Sequence, residues 1–232
     1  MNGHTQPLSD CRVLVFDLDG TLIDSKQDLV IAVNAVRAHF GHSELTSEKV
    51  SEYVGNGAAM LVRRALGETA SESDVEDALR FFLKYYRAHM LDNTVPYPGV
   101  RETLEALGPR PMAVLTNKPV RISRDILKAL DLSRFFNRVY GGDSFKRKKP
   151  DPMGMEVVLR ELGAAPRQAL MVGDSEVDMQ TARNAGTWSC GVTYGFRPEL
   201  LSACTPDLLL ARIEDLPQNL SAVAAWSPSK DS

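Results

Sequence analysis

Four short segments of this 232-residue chain combine carboxylates, hydroxyls and lysines at spacings that could do chemistry. Asp17 and Asp19 stand two residues apart, with Gly20, Thr21 and Asp24 close behind. Thr116, Asn117 and Lys118 are consecutive, Lys149 directly precedes Pro150, and Gly173-Asp174-Ser175 is followed by Asp178. None of the four contains His or Cys. Two carboxylates about 4 Å apart repel by roughly 4 kcal/mol at an effective dielectric near 20, so three or more brought together stay ionised only beside a cation. An oxygen-only donor set calls for a hard ion, and Mg²⁺ suits a site that keeps waters and shares a substrate phosphate. A lysine and a hydroxyl beside such an ion point to a phosphoryl group as the shared ligand. The expected chemistry is a carboxylate attacking phosphorus to give an aspartyl-phosphate that water then hydrolyses.

Such residues must be carried to one place. Short apolar runs at 12–16, 112–116, 169–172, 188–193 and, more weakly, 207–210 read as buried strands. Between them lie helical patterns. Residues 119–130 put Ile122, Ile126, Leu127 and Leu130 on one face, and 152–162 opens at Pro152 and closes before Gly163. Alternating strand and helix predicts an α/β fold with a Rossmann-like parallel sheet covered on both faces. Open parallel sheets bind ligands outside the carboxyl ends of their strands. The carboxylates, Thr116 and Lys149 are therefore expected at one edge.

The stretch from residue 25 to about residue 93 breaks this rhythm. It reads as helices at 25–40, 46–54, 57–66 and 71–91, with Gly41 stopping the first and Gly55-Asn56-Gly57 separating the second from the third. The expectation is an α-helical cap over 23–95, inserted into an α/β core of 1–22 and 96–232. The crossings near 22–25 and 93–98 would act as hinges.

Composition narrows the class. Hydrophobic residues make up 44% and charged residues 25%, enough apolar content for a sizeable core. Lys plus Arg is 27 against 30 Asp plus Glu, a net charge of −3, which argues against a dedicated nucleic-acid binder. No run approaches the roughly 18 apolar residues of a membrane span, and residues 1–10 lack the apolar core of a secretory signal. Cys11, Cys190 and Cys204 are scattered, so neither a disulfide framework nor a zinc site is indicated, and the cytoplasm is the expected address. Residues 227–232 read as a disordered tail. The sequence assigns no oligomeric state.

Asp17-Leu18-Asp19-Gly20-Thr21, following the run RVLVF, resembles the first motif (DxDGT) of the haloacid dehalogenase superfamily. Leu115-Thr116-Asn117 is similar to the second motif, Lys149-Pro150-Asp151-Pro152 to the third, and Gly173-Asp174 through Asp178 to the fourth, GDxxxD. The four occur in order, and the resemblance covers residues 12 to 210. It implies Asp17 as nucleophile and Asp19 as general acid and then base. Mg²⁺ would be held by the carboxylates of Asp17 and Asp174 and the backbone carbonyl of Asp19. Thr116 and the backbone of Asn117 would hold phosphate oxygens, with Lys149 neutralising phosphate charge. Asp178 would stand behind the metal, holding a water or orienting Lys149. The helical insert matches the cap of one branch of that superfamily, with Gly55-Asn56-Gly57 where that branch carries its specificity loop. The FDLDGTLIDS start, the GNG loop and the TNKP segment are most similar to bacterial phosphoglycolate phosphatases. The implied partner is a small phosphorylated metabolite.

Plainer readings stand beside these. Asp24 is read as a helix N-cap or first-turn acid, Asp178 as either functional or a first-turn acid, and Gly55-Asn56-Gly57 equally as loop or turn. Lys146, Arg147 and Lys148 read as a solvated run. His39 and His42 read as surface histidines, and Phe81, Phe82, Tyr85 and Tyr86 as packing within the cap. Lys49, Arg63 and Arg64 are candidate readers of a substrate carboxylate. Other esters (sugar phosphates, nucleotides, pyrophosphate) and a sugar phosphomutase are alternatives. A 2-haloacid dehalogenase is rejected because Asp19 is present, and a non-catalytic relative is disfavoured because Asp17, Asp19, Lys149 and Asp174 all are.

Overall fold

In the first strand, β1 (Val13–Phe16), every residue is buried, because the sheet it belongs to is covered on both sides. Its side chains alternate between two apolar clusters: Leu14 and Phe16 face one, Val13 and Val15 the other. The computed structural model describes Leu8 and residues 10–220, so the expected tail at 227–232 lies outside the described residues. After β1 come the short β2 (Ile23–Asp24) and four helices, α1 (Lys26–His39), α2 (Ser47–Tyr53), α3 (Ala58–Leu66) and α4 (Glu72–His89). The chain then returns through β3 (Val95–Pro96), α5 (Val100–Ala106), β4 (Met112–Leu115) and α6 (Val120–Ala129). It continues through β5 (Arg138–Tyr140), α7 (Met153–Glu161), β6 (Ala169–Gly173), α8 (Glu176–Ala185), β7 (Trp188–Val192), α9 (Leu201–Cys204) and β8 (Leu208–Leu210).

Six strands form one parallel sheet in the order β5-β4-β1-β6-β7-β8. Its register decides where the chemistry sits. Phe16 lies beside Val114 on one side and Val172 on the other, so the residues that follow these strands leave the sheet at one edge. The five expected strands are present. The expectation missed β5, whose three residues are partly exposed at the sheet margin and too few to show a pattern, and it missed α5.

The helices between β1 and β4 bury their own stripe: Ala32, Val33 and Val36 of α1, with Val75, Ala78, Phe82 and Tyr86 of α4. Thr46 caps α2 by accepting from Lys49 N, and Ser71 with Asp74 forms a capping box at α4. The two crossings are not bare linkers. β2 and β3 pair antiparallel, Ile23 beside Pro96 and Asp24 beside Val95. Behind them the buried Asp28 carboxylate accepts from Asn93 N (3.0 Å), Asn93 Nδ2 (2.8 Å), Thr94 N (2.9 Å) and Thr94 Oγ1 (2.7 Å). One carboxylate in α1 therefore satisfies the backbone of the returning strand.

Buried donors left without their acceptor cost about 1–3 kcal/mol each. Replacing Asp28 by Ala is expected to lower unfolding stability by roughly 3 kcal/mol in urea denaturation. A loss under about 0.5 kcal/mol, the range of ordinary surface substitutions, would mean that water takes over these donors.

Candidate active site

Asp17 is the first residue beyond β1, and its backbone N–H still donates to Val172 of β6, which fixes the carboxylate at the sheet edge. Thr116 follows β4 in the same way, donating to Tyr140 O, and Asp174 follows β6. Lys149 arrives from the loop before α7. Its Nζ, in a side chain only 2% exposed, lies 2.6 Å from Asp178 Oδ1 and 3.0 Å from Asp17 Oδ1. The Asp178 side chain also caps α8, accepting from Ser175 N (3.2 Å) and Ser175 Oγ (2.6 Å). Asp178 is thus a first-turn acid whose Oδ1 also accepts from Lys149 Nζ.

Asp174 is held from three sides. Phe196 N donates to its Oδ2 (2.9 Å), Thr21 Oγ1 donates to Oδ1 (3.5 Å), and Gly20 presses against it. Gly20 has φ +80°, and a Cβ there would fall 2.1 Å from Asp174 Oδ2, so the DxDG turn needs glycine for two independent reasons.

Asp17, Asp174 and Asp178 each bring a carboxylate oxygen within 4.8 Å of the others. Crowding and burial show in their proton affinities. Burial, then the nearby Asp178 carboxylate, pushes the Asp17 carboxyl up to about 6 against the pull of Lys149. Burial and the same carboxylates raise Asp174 well above the usual range. Among the described residues the close cation to the buried Asp17 Oδ1 is Lys149 Nζ, at 3.0 Å, with no well-aligned hydrogen bond besides. Buried carboxylates crowded around one ammonium, in an all-oxygen donor set, fit a hard divalent cation. Asp17 and Asp174 would hold it. Asp178 is instead tied to the Lys149 ammonium at 2.6 Å and to the cap of α8.

Asp19 points elsewhere, toward the helices between β1 and β4. Lys118 Nζ donates to both its oxygens, at 2.9 and 3.0 Å, and Ser25 Oγ donates to Oδ1 at 2.5 Å. The same Nζ donates to Tyr86 OH of α4 at 2.8 Å and lies 4.4 Å from the centre of its ring. Burial disfavours the Lys118 charge, but Asp19 and Tyr86 outweigh that and raise its proton affinity. Lys118 was legible as the residue after Thr116-Asn117, yet no role was expected of it. A lysine at a strand end facing paired carboxylates is the signal that could have found it.

Asp17, Asp19, Thr116, Asn117, Lys118 and Asp174 line one cleft. Opposite them it is walled by Leu29, Val54, Ala58, Leu61 and Phe82. Gly55 and Gly57 line it, whereas Asn56 does not; its carbonyl accepts from Lys148 Nζ at 2.6 Å. Lys148 is exposed, as expected of a solvated run, and its ammonium also grips the loop between α2 and α3. Asn117 Nδ2 grips it too, donating to Gly55 O (2.8 Å) and Lys149 O (3.0 Å). The expected carboxylate readers do not reach the cleft. Lys49 pairs with Glu52, Arg63 with Glu72, and Arg64 donates to Tyr53 O. Each finds its partner on its own surface. Asp24 accepts from Lys26 N at the start of α1, and His39 stacks on Phe81.

Comparison with known proteins agrees with this geometry. The model of the haloacid dehalogenase-like hydrolase family matches residues 14–192. The chain is 42% identical over 210 residues to a phosphoglycolate phosphatase of Pseudomonas putida, covering 86% of this chain and 76% of that one. It is 38% identical to a phosphoglycolate phosphatase of Vibrio parahaemolyticus, covering 89% and 95%. Among solved structures, a predicted phosphoglycolate phosphatase from Haemophilus somnus 129PT superposes with a TM-score of 0.86 at 31% identity, covering 90% of this chain and 98% of that one.

The raised carboxyls set a pH dependence. A folded state that binds protons more tightly than the unfolded one loses stability as pH rises through the interval between the two affinities. For Asp17 this runs from the usual 3.8 up to about 6, with Asp174 shifted in the same direction. Metal-free protein should therefore lose stability across that interval, and added Mg²⁺ should restore it more near pH 7.5 than near pH 5. Thermal unfolding should show Asp174→Asn abolishing the Mg²⁺ shift while raising the metal-free midpoint at neutral pH. An equal Mg²⁺ shift at both pH values, or one retained in Asp174→Asn, would contradict cation binding at this cluster.

Proposed function

The chain belongs to the haloacid dehalogenase-like hydrolase family, and from that premise we propose that it is a Mg²⁺-dependent phosphomonoesterase that acts through an aspartyl-phosphate on Asp17, with 2-phosphoglycolate as its substrate. The observation that carries the reading is the Asp17 carboxylate, buried at the end of β1, with Lys149 Nζ 3.0 Å from Oδ1 and the Asp174 and Asp178 carboxylates crowded beside it. The substrate comes from the relatives named above and from the small phosphorylated metabolite that the motifs imply.

In the first step an Asp17 oxygen bonds to phosphorus, the bond from phosphorus to the ester oxygen breaks, and protonated Asp19 gives its proton to the departing alcohol. In the second step Asp19, now a carboxylate, takes a proton from water, and the resulting hydroxide bonds to phosphorus. The acyl-phosphate bond breaks, Asp17 is regenerated and inorganic phosphate leaves. The sum is ester plus water to alcohol plus phosphate. The ion pair with Lys118 and the bond from Ser25 suit Asp19 as the carboxylate of this second step. Lys149 holds Asp17 ionised against burial and offsets charge on the phosphoryl oxygens, while Asp178 keeps that lysine in place. When bound, Mg²⁺ supplies further charge neutralisation between Asp17, Asp174 and the phosphoryl group. Thr116 and the backbone of Asn117 stand at the cleft wall where phosphoryl oxygens would be held.

The test is phosphate release from 2-phosphoglycolate, sugar 6-phosphates, nucleoside monophosphates and pyrophosphate in Mg²⁺. The expected result is the highest kcat/KM for 2-phosphoglycolate, with Asp17→Asn lowering kcat at least about 10³-fold in a protein of unchanged circular dichroism. Preference for another ester would overturn the substrate. Normal turnover by pure Asp17→Asn would overturn the nucleophile, and activity surviving removal of all metal would overturn the cofactor.

A further inference from the structure

A phosphomonoester that also carries a carboxylate needs a cation or well-placed donors for that second charge, because an ionised group buried without a partner is costly. The helices over the cleft offer little. Their wall is largely apolar, and Lys49, Arg63 and Arg64 are engaged elsewhere. Lys118 lines the cleft but is committed to Asp19 and Tyr86. One other cation lines it. Arg197 follows β7, and among the described residues it forms no ion pair and no side-chain hydrogen bond.

Of the cations that line the cleft, Arg197 differs from Lys118 in having no partner among the described residues. Arginines on the outer surface pair with acids, as in Arg63 with Glu72, Arg134 with Glu105 and Arg138 with Glu161. Arg197 has Asp17, Asp19 and Asp174 in the same cleft and pairs with none of them.

The three residues before it explain why it stays there. Tyr194 OH donates to Thr21 O at 2.9 Å, and the Tyr194 ring packs on Tyr97. Gly195 passes so close to the site that a Cβ would fall 2.2 Å from Asp174 Cβ and 2.6 Å from Gly20 O. Phe196 N donates to Asp174 Oδ2 at 2.9 Å. Three successive residues are thus tied to the first and fourth chemical segments, and the next is an uncommitted guanidinium at the cleft wall. A cation carried on a strapped loop loses little freedom on binding an anion, and its planar fork matches a carboxylate.

We infer that Arg197 is the specificity-determining residue that binds the carboxylate of the substrate while the phosphoryl group sits at Asp17. The inference rests on the phosphomonoesterase reading above and assigns the second charge to the β7 loop instead of to the helices over the cleft.

The test compares 2-phosphoglycolate with ethyl phosphate, which has the same two-carbon length and no carboxylate, in wild type, Arg197→Met and Arg197→Lys. Hydrogen bonds to charged groups contribute enough that Arg197→Met should lower the ratio of kcat/KM for 2-phosphoglycolate to that for ethyl phosphate by about 10-fold or more. The loss should fall chiefly on KM, and Arg197→Lys should recover part of the ratio. A ratio unchanged in Arg197→Met, with normal thermal unfolding, would overturn the inference. Calorimetric titration of each ester in Mg²⁺ separates the two readings. If wild type hydrolyses neither ester, the proposed function fails, and the inference stands only if Arg197→Met weakens binding of 2-phosphoglycolate and not of ethyl phosphate.

Discussion

Everything at the sheet edge depends on one ammonium group held between two carboxylates. Lys149 Nζ lies within 3.0 Å of Asp17 and 2.6 Å of Asp178, all three side chains nearly removed from water. With Asp174 alongside, three carboxylates share a space that one lysine does not neutralise. The fold tolerates this because each carboxylate is anchored by more than its charge. Asp17 is fixed by the β1–β6 ladder, Asp178 by the cap of α8, and Asp174 by Phe196 N and the closely packed Gly20. The charge left over is what a hard cation bound there would offset. Breaking such a buried pair on one side costs far more than the pair contributes, so these residues stand or fall together.

A second layer of contacts joins this edge to the helices above it. Lys118 spans from Asp19 to Tyr86, Asn117 from Lys149 O to Gly55 O, and Lys148 reaches Asn56 O. All three donors come from two short segments at the sheet edge, 116–118 and 148–149. Lys118 sets Asp19, while its neighbour Asn117 and Lys148 set the loop between α2 and α3. Any motion of the helices relative to the sheet would exchange these bonds, so access to the cleft and the position of Asp19 are linked through Lys118. Asp28 and the β2–β3 pair hold the two crossings together.

Local sequence determined much of this. The apolar runs announced the strands because strands buried on both faces must be continuously apolar, and the parallel topology then required their carboxyl ends to meet. Asp17, Thr116 and Asp174 could be assigned to one edge for that reason alone, and Asp178 could be read two ways because a first-turn position serves both. Gly20 is written into the motif because its backbone φ and the approach of Asp174 both exclude a side chain.

Only the tertiary structure decided which cations meet which anions. Lys49, Arg63 and Arg64 were plausible readers of substrate charge until two surface acids and a backbone carbonyl claimed them, whereas the exposed Lys148 also grips a carbonyl 92 residues away. Lys118 follows β4 and Arg197 lies five residues beyond β7, and their difference, one fully committed and one uncommitted, exists only in space. Ion pairs are contacts between residues far apart in the chain, and no periodicity records them. The sequence by itself determined the chemistry available at the sheet edge, because strand patterning and residue type are local. The wiring of that chemistry to the helices and to Arg197 is set by packing, because it depends on which side chains the fold brings within about 3 Å of each other.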